Sequence, residues 1–360
     1  MTIWRFAESL DPVPAAARIT LGEGNTPLVR SRRLGPSLGL KNLFFKLEIC
    51  NPTASYKDRF AAAAISHMVA SDKKRCVATS SGNTGSSLAA YCAAAGIECL
   101  IAIVEGAPEG KLQQMLALGA KLYRIRGFGI DPQITSDVFA RVRALGSASG
   151  AATQVSSYTV SAPGMSGVKS LSYELAEQSA TAIDHVFCPA GGGGMALAVA
   201  RGFADLVAAG RLKTSPRVEV VQPAGNDTIA TPLRSGAREA REVQCTTKIS
   251  GLQVPNVMDG HMTLAECRAS GGTGHAVPDE AIWEIQSRLS REEGVFCEPA
   301  GATSVAGAVQ ALRDGIVDPS ATIVCCITGS GFKDPSSIER ILAGATCPVV
   351  SFAEFREPQG

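Results

Sequence analysis

The chain has 360 residues, 45% of them hydrophobic, with 34 lysines and arginines against 33 acidic residues. That length fits two domains, the near-neutral charge gives no basic footprint for nucleic acid, and the apolar fraction excludes a disordered chain. Eleven cysteines, an odd number without framework spacing, exclude a disulfide scaffold.

The four histidines (His67, His185, His261 and His275) are scattered and no cysteine pair has C-x-x-C spacing, so no metal site is expected. No stretch is long and apolar enough for a membrane span, and nothing at the N-terminus reads as a secretory leader. The expectation is a reduced, cytoplasmic protein acting on a small molecule, with no nucleic-acid or membrane partner.

Short apolar runs alternate with Ala- and Leu-rich stretches. Taken in chain order, the spacing predicts strands at Leu43–Glu48, Cys76–Thr79, Cys99–Val104, Lys121–Ile125, His185–Cys188, Val218–Val221 and Thr322–Thr328. Helices are expected at Asp58–Ala70, Thr84–Ala95, Gly110–Leu118, Ser136–Leu145, Ser166–Ala176, Ala196–Ala208, Pro278–Arg291 and Ala300–Leu312. Strands alternating with helices predict an α/β fold of two domains with mostly parallel sheets flanked by helices. Residues 62–150 hold three strand–helix units and end in Gly146-Ser-Ala-Ser-Gly150. They are expected to form a smaller α/β domain inserted into a larger one built from residues 1–61 and 151–360.

Four segments at strand ends or helix starts fall where open α/β sheets bind ligands. In Asn51-Pro-Thr-Ala-Ser-Tyr-Lys-Asp-Arg59, a lysine at a partly buried helix start is disfavoured as a cation. That makes Lys57 a usable amine nucleophile, although by itself it also reads as a solvated lysine in a charge cluster. In Ser80-Ser-Gly-Asn-Thr-Gly-Ser-Ser87, hydroxyls, an amide and free N–H groups converge on a helix start, as a carboxylate site requires. An ordinary helix cap would need only one of them. Pro189-Ala-Gly-Gly-Gly-Gly194 lets backbone N–H groups close on a phosphate, but has neither the dinucleotide fingerprint nor the Lys-Ser/Thr of a Walker loop. Thr328-Gly-Ser-Gly-Phe-Lys-Asp334 puts a hydroxyl at a strand tip, with Glu298-Pro-Ala-Gly301 opening another helix.

Together these four segments, with Gly22-Glu-Gly-Asn-Thr-Pro-Leu28 and Glu298–Gly301 in the same order, resemble the fold type II pyridoxal-phosphate enzymes, the tryptophan synthase β-like fold. Within that group the chain is most similar to the threonine synthase branch, from about residue 20 to 335. The resemblance implies that Lys57 carries pyridoxal 5'-phosphate and moves protons as base and acid. It implies that Asn83 meets the phenolic oxygen, that Gly191, Gly192, Gly193, Gly194 and the N–H of Met195 hold the phosphate, and that Thr328 meets the pyridine nitrogen. Ser80, Ser81, Asn83 and Thr84 would surround the substrate carboxylate. A neutral hydroxyl at the pyridine nitrogen makes a weaker electron sink, favouring elimination and replacement over transamination.

The implied activity is a lyase or synthase working at the β or γ carbon of an amino acid. Authentic threonine synthase using phosphohomoserine, a β-replacing synthase such as cysteate synthase, a serine or threonine dehydratase, and a non-catalytic cofactor-binding homologue remain as alternatives. A homodimer is implied, and no appended regulatory module is expected. The chain also departs from threonine synthase. Gly164, in Ser161-Ala-Pro-Gly-Met-Ser-Gly167, stands where that branch has an arginine for the substrate's phosphate, and Gly192 replaces an asparagine. Lys111, Thr159 and Ser161 are the candidates to compensate. The expectation is a substrate site altered away from phosphohomoserine.

Overall fold

The central apolar runs, His185–Pro189, Arg217–Pro223 and Thr322–Ile327, are buried on both faces, which a sheet covered by helices on two sides provides. In the computed structural model, which describes residues 1–80, 82–107, 109–352 and 355, the strands are β1 (Leu28–Arg30), β2 (Asn42–Leu47), β3 (Arg75–Thr79), β4 (Glu98–Val104), β5 (Lys121–Ile125), β6 (Ala151–Thr153), β7 (His185–Pro189), β8 (Arg217–Pro223), β9 (Gly274–Val277) and β10 (Thr322–Ile327). They form a six-stranded sheet in the order β1-β2-β10-β7-β8-β9 and a four-stranded sheet in the order β5-β4-β3-β6. Every pairing is parallel except β1 with β2.

The helices up to the second half of the chain are α1 (Leu34–Leu38), α2 (Lys57–Ala70), α3 (Asn83–Ala95), α4 (Glu109–Ala117), α5 (Pro132–Gly146), α6 (Tyr158–Ser166) and α7 (Ser170–Gln178). Beyond them lie α8 (Gly194–Ala208), α9 (Ala230–Arg234), α10 (Gly260–Ala269), α11 (Asp279–Glu293), α12 (Pro299–Arg313) and α13 (Pro335–Ile341). Local chemistry sets their ends. Asp131 caps α5 by accepting from the N–H groups of Gln133 and Ile134, and Gly96 and Gly294 end α3 and α11 in the left-handed conformation that glycine tolerates best.

Alternation along the strands divides the core. Val324 and Cys326 of β10 share one cluster with Val186 and Cys188 of β7, whereas Ile323, Cys325 and Ile327 pack with Phe187 on the opposite face. The first cluster also takes in Cys76, Ala78 and Ile101 of the smaller sheet and the buried run Phe60–Ile65 of α2. One apolar core is therefore continuous across both sheets, and α2 lies within it.

Three strands escape the sequence pattern: β1, β6 and β9, of three or four residues each. Their pairing comes from distant neighbours, and they are too short to show a period. Because β6 pairs with β3, the smaller sheet runs to Thr153, past the expected edge at residue 150. The helix expected at Ser166–Ala176 is broken. A 3-10 turn at Gly167–Lys169 separates α6 from α7. Gly164 and Gly167 explain the approach there, since a Cβ at 164 would lie 2.7 Å from the Phe60 ring and one at 167 would strike the Arg59 carbonyl.

Lys57 opens α2, and two residues on, Arg59 anchors that helix. Arg59 is wholly buried and donates to Glu48 (2.7 and 2.8 Å) and to Glu174 (2.7 Å from each of two nitrogens). Lys46 Nζ adds a 2.7 Å contact to Glu174, so two cations balance two carboxylates. Burial alone would raise the Glu174 carboxyl, but Arg59 and Lys46 outweigh it and hold it at about 2. Its stabilising contribution is thus present above the ordinary carboxyl range and lost as pH falls toward 2. Removing one partner strands the others without compensation. Arg59→Leu is expected to cost about 3–5 kcal/mol, read as a lower urea midpoint at neutral pH.

Candidate active site

The segment Asn51–Arg59 turns sharply between the 3-10 turn Glu48–Cys50 and α2 because its own side chains close it. Asp58 accepts from the Thr53 N–H and hydroxyl, both at 2.6 Å, and Asn51 bonds Glu48. The turn is then stitched to two others. Tyr56 N–H donates to the Thr328 carbonyl (3.0 Å), Ser330 N–H donates to the Ala54 carbonyl (3.0 Å), and Glu298 N–H donates to the Gly329 carbonyl (2.9 Å). Three of the segments singled out in the sequence therefore meet around Lys57.

Lys57 Nζ donates to Tyr56 Oη at 2.6 Å and to Ser156 Oγ at 2.8 Å. Burial depresses its pKa to about 8, against the pull of Asp259 and Glu298, which favour the ammonium. At pH 7 about a tenth of it is then free amine, the form that attacks an aldehyde, far more than for an ordinary lysine. Across the cleft, Asn83 begins α3 and donates from Nδ2 to Glu298 Oε1 at 2.7 Å. Burial pushes the Glu298 carboxyl up to about 7. Gly329 has to be glycine here, because a Cβ would lie 2.2 Å from Glu298 Oε1 and 2.9 Å from Asn83 Nδ2.

The glycine tetrad links β7 to α8. A Cβ on Gly191 would meet Val254 at 2.9 Å, and one on Gly192 would meet Met258 at 2.9 Å. Gly193 has φ +94° and faces Thr263, Gly194 is the first residue of α8, and Met195 is buried behind it. The turn leaves backbone N–H groups at a helix N-terminus with no side chain of its own in the way. Thr328 is nearly buried at the tip of β10, and its hydroxyl has no hydrogen bond among the described residues. Ser55 Oγ, two residues before Lys57, is wholly buried and likewise has no partner among them. An amine poised for an aldehyde, a glycine cradle and two unspent buried hydroxyls fit pyridoxal phosphate.

The remaining sequence candidates separate. Thr84 Oγ1 lies 3.0 Å from Ser156 Oγ and so borders Lys57. Ser80 Oγ accepts from the N–H groups of Gly82 and Gly85, acting as the cap of this turn, and Ser81 lies outside the described residues. Lys111 sits at the cleft mouth, bonded to Ser250 and 3.8 Å from Asp334. A hollow of about 60 Å³ there is lined by Asn83, Ser86, Lys111, Gln114, Phe332 and Lys333. Thr159 and Ser161 belong to the first turn of α6, where Thr159 Oγ1 lies 2.6 Å from Ser157 Oγ and Ser161 Oγ accepts from Val155 N–H. Both hydroxyls are engaged locally. Gly164, the position expected to answer to an arginine, faces α2 and packs against Phe60 and Ala64.

A pyridoxal-phosphate dependent enzyme family model matches residues 19–329. The chain belongs to that family. It is a pyridoxal 5'-phosphate-dependent enzyme of the lyase and synthase class. It is 32% identical over 344 residues to a threonine synthase of Methanocaldococcus jannaschii, covering 94% of this chain and 82% of that protein. It is 34% identical to one of Synechocystis, covering 88% and 79%. In fold it is similar to diaminopropionate ammonia lyase of Escherichia coli, with a TM-score of 0.76, 18% identity, and 95% and 92% of the two chains covered. No helix among the described residues is long and apolar enough to cross a membrane.

Sequence reasoning had not assigned roles to Tyr56, Ser156, Asp259 or Glu298. Glu298 lay in a recognised segment, but the partner that gives it a role is 215 residues away. Asp259 had no local signal at all. Since Lys57 titrates at about 8, its reactivity toward an aldehyde is expected to rise with pH to a midpoint near 8, well below the 10.5 of an ordinary lysine. Brief exposure of the cofactor-free protein to pyridoxal phosphate at several pH values, trapped with borohydride and peptide-mapped, should place the pyridoxyl group on Lys57 with that midpoint.

Proposed function

We propose that this protein eliminates or replaces a substituent at the β or γ carbon of an amino acid, in the manner of threonine synthase but with an altered substrate site. The observation that carries the reading is Lys57. A half-buried amine of depressed pKa is held by the hydroxyls of Tyr56 and Ser156, and Ser156 also borders Gly194 at the end of the glycine cradle. Bound pyridoxal phosphate supplies a ring that accepts negative charge from the substrate's α-carbon. Lys57 would hold that cofactor and move the α proton. Gly191–Gly194 and the Met195 N–H would bind its phosphate, Thr328 would serve its ring nitrogen, and Asn83, oriented by Glu298, would serve its phenolic oxygen. Ser80, Ser81 and Thr84 receive the substrate carboxylate, with Lys111 at the cleft mouth.

The altered substrate site rests on Asp259. The N-terminus of α6 lies two residues beyond Ser156, which bonds Lys57, and so offers a further anion site beside the amine. Its donors are already spent. Asp259 accepts from the Ser157 hydroxyl (2.7 Å), Tyr158 N–H (2.8 Å) and Thr159 N–H (3.0 Å), and it is buried. A phosphate on the substrate side chain would face that carboxylate and find no free donor there, so an uncharged or cationic substituent suits the site better.

Residues 62–150, extended by β6, act as the part that closes on the larger one. Asn83–Glu298, Lys111–Asp334 and Lys333–Gln114 join that part to the larger one, and they are contacts that such closure would make or break. Closure keeps water from a reactive intermediate. Free cysteines throughout the chain suit a reducing cytoplasm, and the resemblance supports a homodimer.

A substrate panel tests the reaction: phosphohomoserine, phosphoserine, serine, threonine and cysteine, scored by released phosphate, ammonia or sulfide. The expected result is a kcat/KM for phosphohomoserine below about 10⁴ M⁻¹s⁻¹, with a non-phosphorylated member turned over faster. A value above that mark would make the chain an ordinary threonine synthase.

A further inference from the structure

Beside Lys57 stands a phenol with no evident structural purpose. Tyr56 is fixed by its backbone, through the 3.0 Å bond from its N–H to the Thr328 carbonyl, and its ring lies 4.4 Å from Lys57 Nζ. A phenylalanine would fill the same space. What the hydroxyl adds is a single contact, the 2.6 Å bond it accepts from Lys57 Nζ. Its own proton has no acceptor among the described residues, so it is available to a molecule in the cleft. The other hydroxyl on Lys57, Ser156 Oγ, is shared with Thr84, and an alcohol is a far weaker acid than a phenol.

We propose that Tyr56 is a second proton-transfer residue of this site, donating from its phenolic oxygen to the substituent that leaves the substrate. The proposal rests on the elimination chemistry inferred above. The Cα–H bond breaks and its proton passes to Lys57 Nζ. The electron pair left behind forms the Cα–Cβ double bond as the Cβ–X bond breaks with its pair on X. X takes the Tyr56 proton, and Tyr56 recovers one from the Lys57 ammonium across their 2.6 Å contact. The net change is loss of HX, with both residues returned to their starting states.

The direction of transfer is favourable. Burial pushes the Tyr56 phenol up, so it stays protonated at working pH, while burial depresses Lys57 to about 8. A transient phenolate therefore reclaims its proton from Lys57 readily. Asp259 and Glu298 are the carboxylates that act on both groups. Neither makes a hydrogen bond to Lys57 Nζ or Tyr56 Oη, which leaves the phenol as the acid nearest the amine.

Tyr56→Phe, which keeps the ring, tests this in two ways. In the cofactor-loaded enzyme, turnover of a substrate that loses hydroxide should fall about a hundredfold, the usual weight of a positioned acid. A substrate that loses acetate or chloride, which need no proton, should lose less than about threefold. Equal losses for both leaving groups would overturn the proposal. In the cofactor-free protein, the pH midpoint for labelling Lys57 with an amine reagent should drop by about half a unit or more, because an acceptor for the ammonium is gone. An unchanged midpoint would overturn it as well. If the wild-type enzyme turned over no substrate, the reading of its function would fail instead, and the labelling midpoint alone would decide on Tyr56.

Discussion

The buried cluster of Arg59 with Glu48, Glu174 and Lys46 is the constraint on which the rest of the site depends. It joins the start of α2 to the end of β2 and to α7, and Lys57 lies one helical half-turn from its centre. Four charges out of water are tolerable only because every carboxylate oxygen finds a donor; Thr26 Oγ1, Asn51 Nδ2 and the Asn25 N–H complete the set. The opening segment Gly22–Leu28 thereby acquires a physical reason. Its Asn25 N–H and Thr26 hydroxyl serve this network, and its Glu23 takes the Tyr91 hydroxyl at 2.7 Å. The segment is scaffolding for the lysine and does not touch it.

A rigid helix start lets the surroundings tune the amine. Burial removes the water that would stabilise an ammonium, while Asp259 and Glu298 return part of that stabilisation at a distance, leaving Lys57 close to neutrality. The opposite effect acts on Glu298, which burial holds as a partly protonated acid near Asn83. An amine lowered and a carboxyl raised toward the same pH give the site two groups able to exchange protons near neutrality. The uncharged hydroxyls of Tyr56, Ser156, Thr84 and Thr328 sit among them, so the ring of groups around Lys57 is polar without carrying much fixed charge.

Glycines decide where backbones can meet. Gly164 and Gly167 let α6 and its following turn lie on α2, Gly329 leaves room for Asn83 and Glu298, and the tetrad keeps the start of α8 open. This accounts for Gly164 better than a lost phosphate contact does. The position faces a helix, and an arginine there would have to displace Phe60 or Ala64. The electrostatic feature of this region is Asp259, whose carboxylate fills the N-terminus of α6.

The sequence by itself determined the α/β layering, the long strands and helices, and the turns that gather at one site. Each rests on local rules: the period of apolar residues, a lysine at a helix start, and glycines where a backbone must turn. The glycine tetrad and Lys57 could be read because their chemistry is contained in a few adjacent residues. Only the tertiary structure decided which groups touch that lysine. Ser156 comes from 99 residues away, Glu298 reaches Asn83 across 215, and Asp259 meets Ser157 across 102. Short strands such as β6 were illegible for the same reason, since their pairing is supplied by distant residues and leaves no period behind. Charge, burial and hydrogen bonding are properties of a three-dimensional neighbourhood, and a neighbourhood assembled over such separations has no local pattern in the chain to reveal it.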